Sequence, residues 1–83
     1  MTSEITLDKL HTGTSGKITA VGGSGALRRR MLDLGLTPGT SIMVRKVAPL
    51  GDPIELFLRG YELSLRKEEA ACITVMPKKE GEC

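Results

Sequence analysis

Between residues 54 and 66 the chain alternates with a period of two. Ile54, Leu56 and Leu58 are interleaved with Glu55, Phe57 and Arg59, and beyond Gly60 the residues Tyr61, Leu63 and Leu65 are interleaved with Glu62, Ser64 and Arg66. Successive side chains of a strand point to opposite faces, so this pattern demands half-buried β-structure and excludes a helix. Gly60 marks a tight turn or bulge between the two runs.

The rest of the chain reads in the same way. Ile5, Leu7 and Leu10 are apolar anchors near the start, and Gly13 and Gly16 punctuate a turn. Residues 16–21 (GKITAV) form a strand rich in β-branched side chains. After the GGSG break, residues 25–34 form a helix, with Ser24 as N-cap and Gly35 as the left-handed C′ residue. Leu27, Met31 and Leu34 fall at i, i+4 and i+7, one apolar stripe at about 100° per residue, and Arg28, Arg29 and Arg30 cover the remaining circumference. Thr37-Pro38-Gly39 is a turn. Residues 41–47 form a strand with Ile42 and Val44 on one face and Met43, Arg45 and Val47 on the other. Two prolines and a glycine make residues 49–53 a loop. Residues 67–71 suit one helical turn, and residues 72–76 (CITVM) form the last strand, ended by Pro77. Five or six short strands with one short amphipathic helix imply an all-β fold, a small barrel. Residues 1–76 constitute the domain and residues 77–83 a flexible polar tail.

Eighty-three residues leave room for one thin core. With Phe57 and Tyr61 as the aromatic residues and no Trp, that core is built of Leu, Ile, Val and Met. The same scarcity removes the stacking platforms that single-stranded nucleic acid requires. A net charge of +2 is too small to announce nucleic acid or an anionic membrane. The first residues lack the basic and apolar regions of a secretory signal, and no apolar run approaches the roughly 18–20 residues that span a bilayer. Cys72 and Cys83 form no spaced motif, so the expected setting is the reducing cytoplasm, with no membrane insertion.

Catalysis requires convergent titratable groups, and one histidine, His11, cannot assemble a His-based triad or acid–base pair. The stretch GGSGALRRR lacks the Gly-Lys-Ser/Thr ending of a phosphate loop. No enzyme and no cofactor are expected. The metal-ligating types are His11, Cys72, Cys83 and scattered carboxylates, without zinc-site spacing, so no metal site is nominated. Glu80, Glu82 and Cys83 in the tail offer at most weak, adventitious coordination.

The candidate binding residues are Arg28, Arg29 and Leu32, then Leu50 and Tyr61. Leu32 lies about 140° from Leu27, off the core stripe and beside two arginines, an arrangement resembling the apolar centre and polar rim of a small interface. The competing reading is a solvated helix face, with Leu32 covered by a neighbouring loop. Leu50, between Pro49 and Pro53, either presents a rigid apolar tip or folds inward to plug the barrel.

The ordered combination GALRRRMLDLGLTPGT, VAPLGDPIEL and RGYELSLRKEEAACITV resembles the FeoA family, over about residues 7–75. The resemblance implies an SH3-like β-barrel with an inserted helix, and a regulatory or assembly role beside FeoB, a membrane ferrous-iron transporter with a cytoplasmic GTPase domain. A transition-metal-binding regulator or chaperone is the alternative. Similar barrels end metal-dependent repressors, but no DNA-binding helical region precedes this one, so a repressor is not expected. SH3-like barrels often bind peptides through aromatic-lined grooves, and here Phe57 and Tyr61 alone are available to line one.

Overall fold

The structure, a computed structural model, describes residues 4–78. The tail residues Glu80, Glu82 and Cys83 lie outside the described residues. The elements run β1 (Ile5–Thr6), a 3₁₀ turn (Leu7–Lys9), β2 (Ser15–Val21), α1 (Gly25–Asp33), β3 (Ser41–Val47), β4 (Ile54–Leu58), β5 (Tyr61–Leu65), α2 (Lys67–Ala70) and β6 (Ile73–Pro77). The strands form one six-stranded antiparallel sheet in the order β1-β6-β2-β3-β4-β5, with β2 paired to both β3 and β6. The fold is all-β, as the sequence pattern implies, and agrees with the SH3-like fold that the family resemblance implies.

The alternation of β4 translates directly into burial: Ile54, Leu56 and Leu58 are buried and Glu55 and Phe57 are not. Two strands depart from strict alternation. In β2 the register against β6 slips between Ile18 and Ala20, so Ile18 and Val21, three positions apart, both reach the core. In β3 the slip lies between Val44 and Lys46. An extra residue in one strand reverses the phase of every side chain after it. Val47, expected beside Met43 and Arg45, therefore returns to the inner face, pairs with Ile54 and packs against the core.

The core contains Leu7, Ile18, Met31, Leu36, Ile42, Leu56, Leu58, Leu65, Ile73 and Val75, each less than 3% exposed. It is aliphatic, as the composition requires. On α1 only Met31 is fully buried; Leu27 and Leu32 are half-buried and pack against the core. Leu34 contributes less than the stripe implied, because the helix stops at Asp33. Its place is taken by Leu36, beyond the glycine. Gly35 has φ of +98°, its N–H donates to Leu32 O, and the N–H of Leu36 donates back to Met31 O. This Schellman arrangement needs a left-handed residue at C′ and folds the next apolar side chain under the helix. Ser24 occupies the N-cap position with an extended backbone, but its side chain makes no capping bond. The last strand begins at Ile73, because the Cys72 N–H is given to Glu69 O in the turn that closes α2, and it runs through Pro77.

Candidate functional site

The arginine run does not act as a unit. Arg28 Nε donates to Val21 O at 3.1 Å, across the mouth of β2. The Arg30 Nη1 reaches Glu69 Oε2 at 2.6 Å and thereby ties α1 to α2. Arg29 is exposed and makes no side-chain hydrogen bond or ion pair among the described residues. Leu32 is less exposed than a free apolar centre would be, since it packs against the core.

The loop that follows β3 is held by its own backbone and by α2. Gly51 N–H donates to Ala48 O at 2.7 Å, and Ala48 N–H to Pro53 O at 3.1 Å. Asp52 Oδ1 accepts the Lys67 N–H at 3.0 Å, and Asp52 Oδ2 lies 3.8 Å from Arg66 Nη1. Leu50 stands at the tip and is 92% exposed. The inward plug is thereby excluded.

Helix and loop meet at a shallow, open cleft lined by Arg30, Pro53, Ser64, Leu65, Arg66 and Glu69. The cleft adjoins one end of the β4–β5 ladder, where Ile54 pairs with Leu65. Tyr61 lies at the other end, where Leu58 pairs with it across the turn. Tyr61 is 40% exposed, and its hydroxyl donates to Leu34 O at the end of α1. Leu50 and Tyr61 are therefore separated by the length of β5. Phe57 and Tyr61 do not line a common groove either. Phe57 pairs with Glu62, the neighbour of Tyr61, so the two rings leave opposite faces of the sheet, and Arg45 covers Phe57 with its guanidinium 5.4 Å from the ring centroid.

One residue that sequence reasoning missed belongs to the Tyr61 end. Arg59 and Gly60 have φ of +49° and +86°, the paired left-handed conformations of a two-residue turn between β4 and β5. Arg59 Nη2 donates to Thr40 Oγ1 at 3.1 Å and to Thr37 Oγ1 at 3.3 Å. The Arg-Gly dipeptide after an alternating run was the available signal. What it could not reveal was the pair of threonines, brought in from about twenty positions away.

Among the described residues no group of three or more His, Cys, Asp or Glu side chains is placed to hold a metal ion. His11 is exposed, and the half-buried Cys72 directs its thiol to Glu68 O at 3.6 Å. No helix of the described residues is long and apolar enough to cross a membrane.

The class defined so far is a small SH3-like barrel with one helix and one hydrogen-bonded loop flanking a shallow cleft. Comparison with known proteins makes it specific. A family model described as "FeoA domain" matches residues 5–77. The Fe(2+) transport protein A/Fe(2+) transporter FeoB fusion protein of Porphyromonas gingivalis is 44% identical over 69 residues, which are 83% of this chain but 8% of that protein. The solution structure of the FeoA protein from Chlorobium tepidum superposes with a TM-score of 0.85 at 41% identity, covering 94% of this chain and 74% of that one. The crystal structure of Stenotrophomonas maltophilia FeoA complexed with zinc, described as a prokaryotic SH3 domain protein, shares the fold with a TM-score of 0.79 at 24% identity, over 93% of this chain and 99% of that one. The chain belongs to the FeoA family, whose named members are linked to ferrous-iron transport.

Proposed function

We propose that this chain is a non-enzymatic accessory of ferrous-iron uptake that works in the cytoplasm by docking on the cytoplasmic part of a FeoB-type transporter. The observation that carries the reading is Leu50, a large apolar side chain 92% exposed at the tip of a loop pinned by Asp52. A loop whose backbone is already held loses little conformational freedom on binding, and an apolar side chain at its tip can serve as an interface anchor. The polar cleft that Pro53 of the loop shares with Arg30, Arg66 and Glu69, and the exposed guanidinium of Arg29 on α1, add charged groups to the surface available for docking. The fusion of the two proteins in one Porphyromonas gingivalis chain supports the choice of partner, since tethering raises the effective concentration of an interaction that already exists. Nucleic acid is disfavoured, because the exposed surface offers no set of aromatic platforms.

The test is a resonance-by-resonance NMR titration with the cytoplasmic part of the FeoB-type transporter from the same organism, repeated with Fe(II) alone. Shifts gathered on residues 28–32 and 48–53 with the protein partner support docking. The second reading, a transition-metal-binding regulator, is favoured by the zinc complex of the Stenotrophomonas maltophilia relative. Silence with the transporter together with saturable shifts from iron would replace docking by that reading.

A further inference from the structure

We infer that Arg59 is the centre of an oxyanion site that takes a carboxylate, at the corner where the β4–β5 turn meets the end of α1. The inference is independent of docking through α1 and Leu50. The residue occupies a left-handed position, φ of +49°, where glycine or asparagine is the ordinary choice. Its stem lies across Gly35, where a Cβ would stand 3.3 Å from Arg59 Cδ and 3.4 Å from Nε. Its Nη2 is oriented by the hydroxyls of Thr37 and Thr40, and Thr40 is only 7% exposed. The stretch from Gly35 to Thr40 and the β4–β5 turn thus meet at one guanidinium.

The remaining hydrogen-bond capacity is all donor. Arginine carries five N–H groups and no acceptor, and Nε and Nη1 of Arg59 make no hydrogen bond among the described residues. The two threonine oxygens are 2.9 Å apart, so one hydroxyl proton is given to its neighbour and the other remains available. The Tyr61 hydroxyl is already committed to Leu34 O. The ion pairs of the described residues involve Arg30, Arg45 and Arg66, so Arg59 is oriented by neutral acceptors and its charge is uncompensated. A pre-oriented guanidinium with no anion of its own is half of an arginine–carboxylate pair. One positive charge matches a carboxylate, whereas a phosphate dianion would leave a second charge unmatched.

The experiment titrates the ¹⁵N-labelled protein with sodium acetate, inorganic phosphate and sodium chloride at matched ionic strength, following Arg59 Nε–H and the amides of Thr37, Thr40 and Gly60. Acetate is expected to produce saturable shifts at these groups that chloride does not. Arg59→Asn, which tolerates the left-handed backbone, should abolish them. Thr37→Val, which retains the guanidinium, should weaken the response several-fold. A tighter response to phosphate than to acetate overturns the choice of carboxylate. Equal, non-saturating responses to all three salts overturn the site and leave Arg59 as a fastening between turn and helix. Neither result bears on the titration with the transporter, which reads residues 28–32 and 48–53.

Discussion

Glu69 is gripped from two sides by different elements: Arg30 of α1 lies 2.6 Å from its Oε2, and the amide of Arg66 donates to its Oε1 at 2.9 Å. The carboxylate thus caps α2 and anchors α1 to it, while only 9% of the residue is exposed. A buried carboxylate that loses a partner carries a desolvation cost, but the Arg30 side chain is 60% exposed, so water screens the pair. Arg30→Ala should therefore lower stability by about 1–2 kcal/mol, between the values for surface and buried pairs. Glu69→Ala, which also removes the cap, should cost about 2–3 kcal/mol. Urea unfolding measures both. Losses below about 0.5 kcal/mol would class the contact with ordinary surface pairs.

Leu32 and Leu50, the first- and second-ranked apolar candidates on sequence grounds, should separate in a paired experiment. Leu50 is almost wholly exposed, so Leu50→Ser should leave the unfolding midpoint unchanged within about 0.5 kcal/mol while weakening transporter binding. Leu32 packs against the core, so Leu32→Ala should cost about 1–2 kcal/mol, less than a full cavity but more than a surface change. Thermal unfolding and calorimetric titration on the same samples check both. Unchanged binding by Leu50→Ser would remove Leu50 from the interface.

Much of this architecture was legible because a strand writes its burial into alternate residues. Ile54, Leu56 and Leu58 could be assigned to the core from spacing alone. The slips near Thr19 and Arg45 could not, since a bulge exists only relative to the partner strand and leaves no local signature. Val47 changes face for that reason. Leu36 illustrates a second limit: a residue beyond a helix-ending glycine looks like loop, yet the left-handed turn returns it beneath Met31. At the candidate site, the exposure of Leu50 followed from loop chemistry only as one of two options. The partition of the arginines depended on Val21 O and Glu69, the latter 39 positions from Arg30.

The end of α1 should be sensitive to a single methyl group. Gly35→Ala forces a side chain into φ of +98° and places a Cβ 3.3 Å from both Arg59 Cδ and the Tyr61 hydroxyl. The expected loss is about 1–2 kcal/mol, with backbone strain the larger part. Tyr61→Phe, which removes only the hydrogen bond to Leu34 O, should cost about 0.5–1 kcal/mol because the ring is partly exposed. Guanidinium-induced unfolding of the two variants would rank them. A larger loss for Tyr61→Phe would mean that the hydroxyl, not the glycine, fixes this corner.

Leu56 is fully buried on β4, between β3 and β5 in the sheet, so Leu56→Ala leaves a cavity and should cost about 2–5 kcal/mol. Leu27 is only half-buried, and Leu27→Ala should cost about 1–2 kcal/mol. A domain of this size has a total stability on the order of 5–10 kcal/mol, so the first substitution brings it close to unfolding at physiological temperature. Melting temperatures of the two variants provide the check, and equal values would contradict the difference in burial between Leu56 on β4 and Leu27 on α1.

Arg29 allows electrostatic docking to be tested without disturbing the fold. Arg28 and Arg30 hold Val21 O and Glu69, so changing either confounds binding with stability, whereas Arg29 is exposed and unpaired among the described residues. Charges at the rim of an interface act mainly on the rate of encounter. Arg29→Glu should therefore leave the unfolding midpoint within about 0.5 kcal/mol of the parent. It should slow association with an acidic transporter surface by about threefold to tenfold at low salt, with the difference shrinking as salt approaches physiological strength. Stopped-flow or surface-plasmon kinetics across a salt series measures both quantities. An association rate indifferent to the substitution at low salt would move the docking surface away from this face of α1 and onto the Leu50 loop alone.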